Sequence, residues 1–130
     1  KDKIFYYLGA DKMELELETV IYKDTYIDSV RFEAEQAANL AQQEFLSEHG
    51  EMAYCGFAWV EVYVSRTNSR EAQALVKMGF KKDYKPKCMS LWGPGGYHGQ
   101  SMDVKETGAR AYADVLSKYG FKAYMGSRAD

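Results

Sequence analysis

Two heptapeptides constrain this chain more than any other feature in it. Leu75-Val-Lys77-Met-Gly79-Phe80-Lys81 and Leu116-Ser-Lys118-Tyr-Gly120-Phe121-Lys122 agree at Leu, Lys, Gly, Phe and Lys. Each reads as a helix stop. The glycine takes the left-handed position just past the last turn, the phenylalanine packs back on the leucine, and a lysine faces the negative end of the helix. Each therefore predicts a helix that ends at its glycine and a strand launched immediately after it. The two copies share little else, so they are recurrent cap chemistry in one domain and not a repeat architecture.

The remaining elements are read around these two fixed points. Ile4–Leu8 is a β-prone run closed by a turn at Gly9–Lys12. From Glu14 to Tyr22 the residues alternate, placing Glu14, Glu16 and Glu18 on one face of a strand as a solvated carboxylate row. Asp28 or Ser29 offers an N-cap to a helix of nearly twenty residues through Val30, Ala34, Ala37, Ala38, Ala41 and Phe45, stopped by Gly50. His49, near the end of that helix, is a partner for its dipole. Tyr54–Ser65 is apolar on both faces except at Glu61 and reads as the central strand. Asn68 and Glu71 form a capping box for a short helix whose inward face is Ala72, Leu75 and Val76. Cys88–Trp92 is a further strand. Asp103 and Glu106 form a second capping box before the helix carrying Val104, Gly108, Ala111, Tyr112, Val115, Leu116 and Tyr119, with Glu106/Arg110 and Asp114/Lys118 as surface pairs. Phe121–Met125 is the last strand, and residues 126–130 are a polar tail. This order predicts an α+β sandwich: a single mostly antiparallel sheet with two long amphipathic helices on one face, ferredoxin-like. The other sheet face is then open. Aromatics make up 15% of the 130 residues, and Trp59 and Tyr63 on that face predict a homo-oligomer, dimer or higher.

No apolar run approaches the ~20 residues of a membrane span, and the N-terminus lacks the features of a signal peptide, so a cytoplasmic location is expected. Charge is unevenly distributed. Residues 1–60 hold twelve acidic and five basic side chains, whereas 61–130 hold seven acidic and twelve basic. The second half therefore suits an anionic partner, nucleic acid or nucleotide. Two groups of residues serve that reading. Lys81, Lys82, Tyr84, Lys85 and Lys87 form a basic, aromatic-interrupted turn. The glycine-rich loop 93–101, which feeds a helix start, gathers Trp92, Tyr97, His98, Gln100, Ser101 and Lys105, with Arg110 and Arg128 near by. The loop spacing G-x-G-x-x-x-G is not that of a dinucleotide site, and no phosphate-binding G-x-x-x-x-G-K-[ST] occurs. Cys88, His98 and Asp103 make a nucleophile–base–acid set on paper only, because spacing does not define a triad, and no catalytic residue is assigned. Cys55 and Cys88 lie 33 positions apart with no C-x-x-C, which predicts two buried free thiols and no metal; no cofactor is expected.

The strand Val60–Val64 followed by Asn68-Ser-Arg70-Glu-Ala72-Gln-Ala-Leu75-Val-Lys77-Met-Gly79-Phe80 resembles the strand–N-x-x-A–helix–G-F segment of GNAT-type acyltransferases. That resemblance implies an acyl-CoA ligand whose pyrophosphate loop would lie near Tyr26–Glu33; Ile27-Asp28-Ser29-Val30-Arg31 there has no glycine and holds an acid. The segment from Trp92 through Glu106, together with Gly126–Asp130, resembles the ends of small uncharacterised proteins of phages and environmental bacteria, which implies an accessory role. The preferred reading is a small non-enzymatic binding protein that contacts an anionic partner through loop 93–101 and the basic second half. The alternatives are a minimal or degenerate GNAT-like acyltransferase and a protein-binding inhibitor using the acidic half, with Glu14, Glu16, Glu18, Glu33 and Glu35.

Overall fold

Both glycine stops form as expected in the computed structural model, which describes residues 23–130. Gly79 has φ +102° and Gly120 φ +94°, the left-handed region that favours glycine. At the first stop the Phe80 N–H donates to Leu75 O at 2.9 Å and the Gly79 N–H to Val76 O at 3.0 Å. At the second, the Phe121 N–H donates to Leu116 O at 3.1 Å and the Gly120 N–H to Ser117 O at 3.0 Å. This doubled bonding satisfies carbonyls that a helix end otherwise leaves open. Phe80, Leu75, Phe121 and Leu116 are all buried. The strands expected at Ile4–Leu8 and Glu14–Tyr22, with the carboxylate row, lie outside the described residues.

The elements run α1 (Asp24–His49), β1 (Gly56–Tyr63), α2 (Arg70–Lys77), β2 (Lys81–Lys82), β3 (Cys88–Trp92), α3 (Met102–Lys118) and β4 (Lys122–Ala129). The sheet order is β2-β3-β1-β4 and every neighbouring pair is antiparallel. The strands joined by α2 are separated by β3, and those joined by α3 are separated by β1. The chain therefore interleaves two β-α-β units. All three helices among the described residues contribute to one core with Ala58, Val60 and Val62 of β1, through Val30, Ala34 and Ala38 of α1, Ala72 and Leu75 of α2, and Ala109, Tyr112 and Leu116 of α3. Small side chains along α1 let it approach α3 closely, and these two helices pack on each other. No helix among the described residues is long and apolar enough to cross a membrane.

Several boundaries differ from expectation, each for a local reason. The α1 helix begins at Asp24 and not near Ser29, because Ile27 extends the buried stripe by one turn and its N–H reaches Lys23 O at 2.9 Å. Tyr26–Glu33 is accordingly helix. Lys23 caps it without a side-chain bond, while Asp24 pairs with Lys77 of α2. The cap of α2 is Ser69, whose Oγ accepts the Ala72 N–H at 3.2 Å; Asn68 instead offers its carbonyl to Gln73. Ser101, not Asp103, precedes α3, and Glu106 accepts the Ser127 hydroxyl at 2.5 Å. Lys118 reaches across to Glu33 of α1. Residues 126–129, expected as tail, complete β4 by pairing with β1. Cys88 is buried as expected, but Cys55 is exposed; both are free thiols.

Candidate functional site

The alternation of β1 sorts its side chains into two sets. Ala58, Val60 and Val62 face the helices, so Phe57, Trp59, Glu61 and Tyr63 project from the other side of the sheet. Residues directly opposite in an antiparallel ladder share a face, and the register supplies the rest. Trp92, Ser90 and Cys88 of β3 lie opposite Trp59, Glu61 and Tyr63. Arg128, Gly126, Tyr124 and Lys122 of β4 lie opposite Phe57, Trp59, Glu61 and Tyr63. Lys81 of β2 joins them opposite Ser90. No helix among the described residues contributes to the core from this side.

Trp59 and Trp92 stack at a centroid separation of 4.5 Å with their planes 20° apart. Trp59 occupies the space that Gly126 leaves: a Cβ built there would sit 2.4 Å from the indole Nε1. Phe57 and Trp92 are 5.9 Å apart, and Tyr63 meets Tyr124 edge-on at 6.0 Å. Cations border both ends. Lys105 stands 5.1 Å over the Phe57 ring and donates to Gly56 O at 2.9 Å. Arg128 stands 5.5 Å from Phe57 and 6.0 Å from Trp92. Trp92 remains 49% exposed and Tyr124 56%.

Glu61 lies buried at the centre of the face. It accepts Trp59 Nε1–H at 2.7 Å, Tyr63 O–H at 3.0 Å and Lys85 Nζ at 2.8 Å. Burial alone would push its carboxyl up, but those donors and the Lys85 charge outweigh burial and hold it below the ordinary carboxylate range. The same bond raises Lys85 above the usual lysine range. Glu61 thus remains ionised and orients two aromatic rings and an ammonium. Burial pushes the neighbouring Cys88 thiol up to about 11, which makes it a poor nucleophile at neutral pH. Cys88 is also at the far end of β3 from the loop carrying His98, about 13 Å along the strand, so the paper triad is not assembled.

Of the residues picked from the sequence, Trp92, Lys105 and Arg128 come together around Phe57, and Lys81 and Lys85 belong to the same face. Lys82, Tyr84 and Lys87 lie exposed on the adjoining hairpin, with Tyr84 90% exposed. The Tyr97 hydroxyl donates to Glu51 at 2.5 Å and accepts the Ser101 N–H at 3.1 Å. Ser101 is buried. His98 and Gln100 are exposed on the loop, and Arg110 is exposed on α3. The loop is tied down from α1, where Asn39 donates to Gly95 O at 3.1 Å and buried Gln42 donates to Pro94 O at 3.2 Å and Val104 O at 3.3 Å. Gly95, at φ +105°, has no room for a Cβ, which would lie 2.4 Å from Gln42 Oε1. Phe57, Tyr124 and Lys122 were not singled out from the sequence. The signal that points to Phe57 is the period of two through Phe57, Trp59, Glu61 and Tyr63, whereas Tyr124 and Lys122 enter only through the β1–β4 register.

Glu33 and Glu35 are occupied within the chain, Glu33 by Lys118 and Tyr119 and Glu35 by Arg31. Among the described residues no three His, Cys, Asp or Glu side chains converge as metal ligands would. No family model, curated protein or solved structure matches the chain.

Proposed function

We propose that this chain is a small non-enzymatic binding protein whose aromatic sheet face holds single-stranded nucleic acid, on a ferredoxin-like core to which α1 is an addition. One observation carries the reading: Phe57, Trp59, Tyr63, Trp92 and Tyr124 share a face with Lys81, Lys85, Lys105, Lys122 and Arg128, and its carboxylate, Glu61, is taken up internally. Stacking on an aromatic ring is worth about 1–3 kcal/mol per base and tolerates any sequence, while lysine and arginine track the phosphates. Lys82, opposite Met89, lies on the helix side of the sheet, while the exposed hairpin residues Tyr84 and Lys87 extend the aromatic face at one end. Loop residues His98 and Gln100 extend it at the other. The two free thiols suit a reducing compartment such as the cytoplasm.

A second copy of the chain is the other occupant that the exposed aromatics favour. A two-fold contact through this face would oppose its cations to their own copies, which disfavours it relative to a polyanion. The inhibitor reading gains nothing from α1, because Glu33 and Glu35 already face the chain's own cations.

The test is a fluorescence-anisotropy titration of a short labelled mixed-sequence strand, as DNA and as RNA, across a salt series. With Lys85 held by Glu61, four cations remain, so log K should fall against log salt with a slope of about −3. Replacing Trp92 by Ala should weaken binding about tenfold at constant slope. Absence of strand binding, with acetyl-CoA bound instead, would transfer the reading to an acyltransferase; a salt-resistant dimer that buries the tryptophans would transfer it to self-association.

A further inference from the structure

On the helix side of the sheet, α1 and the loop between β3 and α3 border a groove of ≈ 460 Å³, within the ~300–1,000 Å³ typical of small-molecule sites. β2 pairs with β3 only at Met89 and Ser90, so no described strand covers the outer edge of Leu91, which lines the groove. Tyr112 lines it from below. Its side chain is 0% exposed, and its hydroxyl has no hydrogen-bond partner among the described residues. Buried hydroxyls are nearly always satisfied, and this one belongs to a residue that lines the groove. The same lining holds Glu35, one of whose oxygens takes Arg31 Nε–H at 2.9 Å. The charges of Arg31 and Glu35 cancel, so the groove offers a phosphate no unpaired cation and favours an uncharged occupant. Its far wall is fixed, since Asn39 holds Gly95 O at 3.1 Å.

We propose that this groove binds an uncharged molecule presenting an N–H donor beside a carbonyl acceptor, the edge that guanine and uracil carry. The carbonyl accepts the Tyr112 hydroxyl and the N–H donates to Glu35. The site adjoins the aromatic sheet face at Trp92, which lines both, and it serves either a free nucleoside or a base turned in from a bound strand.

The experiment is a titration of the full chain with guanosine, uridine and adenosine, followed by amide NMR shifts, in wild type and Tyr112→Phe. Guanosine or uridine should bind saturably and adenosine, which lacks the N–H beside a carbonyl, about tenfold more weakly, the factor carried by about one hydrogen bond. Tyr112→Phe should lose that binding about tenfold while its unfolding midpoint is not lowered, because the hydroxyl it removes has no protein partner. The proposal is overturned if no nucleoside saturates, if Tyr112→Phe binds as wild type does, or if Tyr112→Phe is markedly destabilised, which would assign the hydroxyl to the fold. Nucleosides carry no phosphate, so failure here leaves the strand-binding face to stand or fall on its own test.

Discussion

Gly108→Ala should destabilise the protein, against the usual sign of a glycine-to-alanine change inside a helix. In a helix interior alanine is favoured over glycine by about 1 kcal/mol. At Gly108 the new Cβ would lie 2.2 Å from Gln42 Nε2, 2.6 Å from its Cδ and 2.9 Å from its Cγ. Gln42 is only 3% exposed and joins three elements through Pro94 O and Val104 O, so it has nowhere to move. Overpacking of a filled core costs about 1–3 kcal/mol. Each of the two displaced hydrogen bonds adds about 0.5–1.5 kcal/mol. Set against the helix gain, the net loss is about 1–5 kcal/mol. In a Gln42→Ala background the clash is gone and the same substitution should stabilise by up to about 1 kcal/mol. Urea unfolding followed by far-UV circular dichroism, run as a double-mutant cycle, measures this coupling. Equal effects of Gly108→Ala in both backgrounds, or stabilisation in the wild type, would refute the role given to Gln42.

Two further outcomes concern the sheet face. Gly126→Ala should push Trp59 off its stack with Trp92 and weaken its bond to Glu61, costing about 1–3 kcal/mol and collapsing the near-UV circular dichroism of the tryptophan pair; an unchanged spectrum would contradict the packing described. Because the Glu61 carboxyl is held below its ordinary 4.5, its contribution is complete above that pH and lost as pH falls through the lower folded value; the stability gap between wild type and Glu61→Gln should be constant near neutrality and narrow in acid, and a gap that widens in acid would reverse the assigned sign.

How much of this was legible in the sequence depended on whether a residue's reason was local. The two glycine stops were, because cap geometry involves only neighbouring residues, and the bonding at Phe80 and Phe121 matches it. The alanine stripe of α1 was also local. Gln42 was not, since a polar residue on a helix reads as surface until the partners that bury it, Pro94 and Val104, are known to converge. Residues 126–129 read as a tail because glycine weakens a strand, and the compensating reason, room for the Trp59 indole, comes from another strand. The face itself was half legible. Trp59 and Tyr63 pointed to an open aromatic side, but the gathering of Trp92, Arg128 and Lys105 around Phe57 follows from antiparallel register, which no single segment encodes. In the glycine-rich loop, the bond from the Ser101 N–H to the Tyr97 hydroxyl ties residues four apart, which the run of glycines does not display.

The most direct test of the central claim uses the protein's own fluorescence, because the chain's two tryptophans, Trp59 and Trp92, stack on each other within the proposed platform. An unlabelled single strand titrated at low salt should quench that fluorescence saturably, and added salt should reverse the quench. Strand binding that leaves the tryptophan emission unchanged would place the contact elsewhere on the molecule and contradict the account.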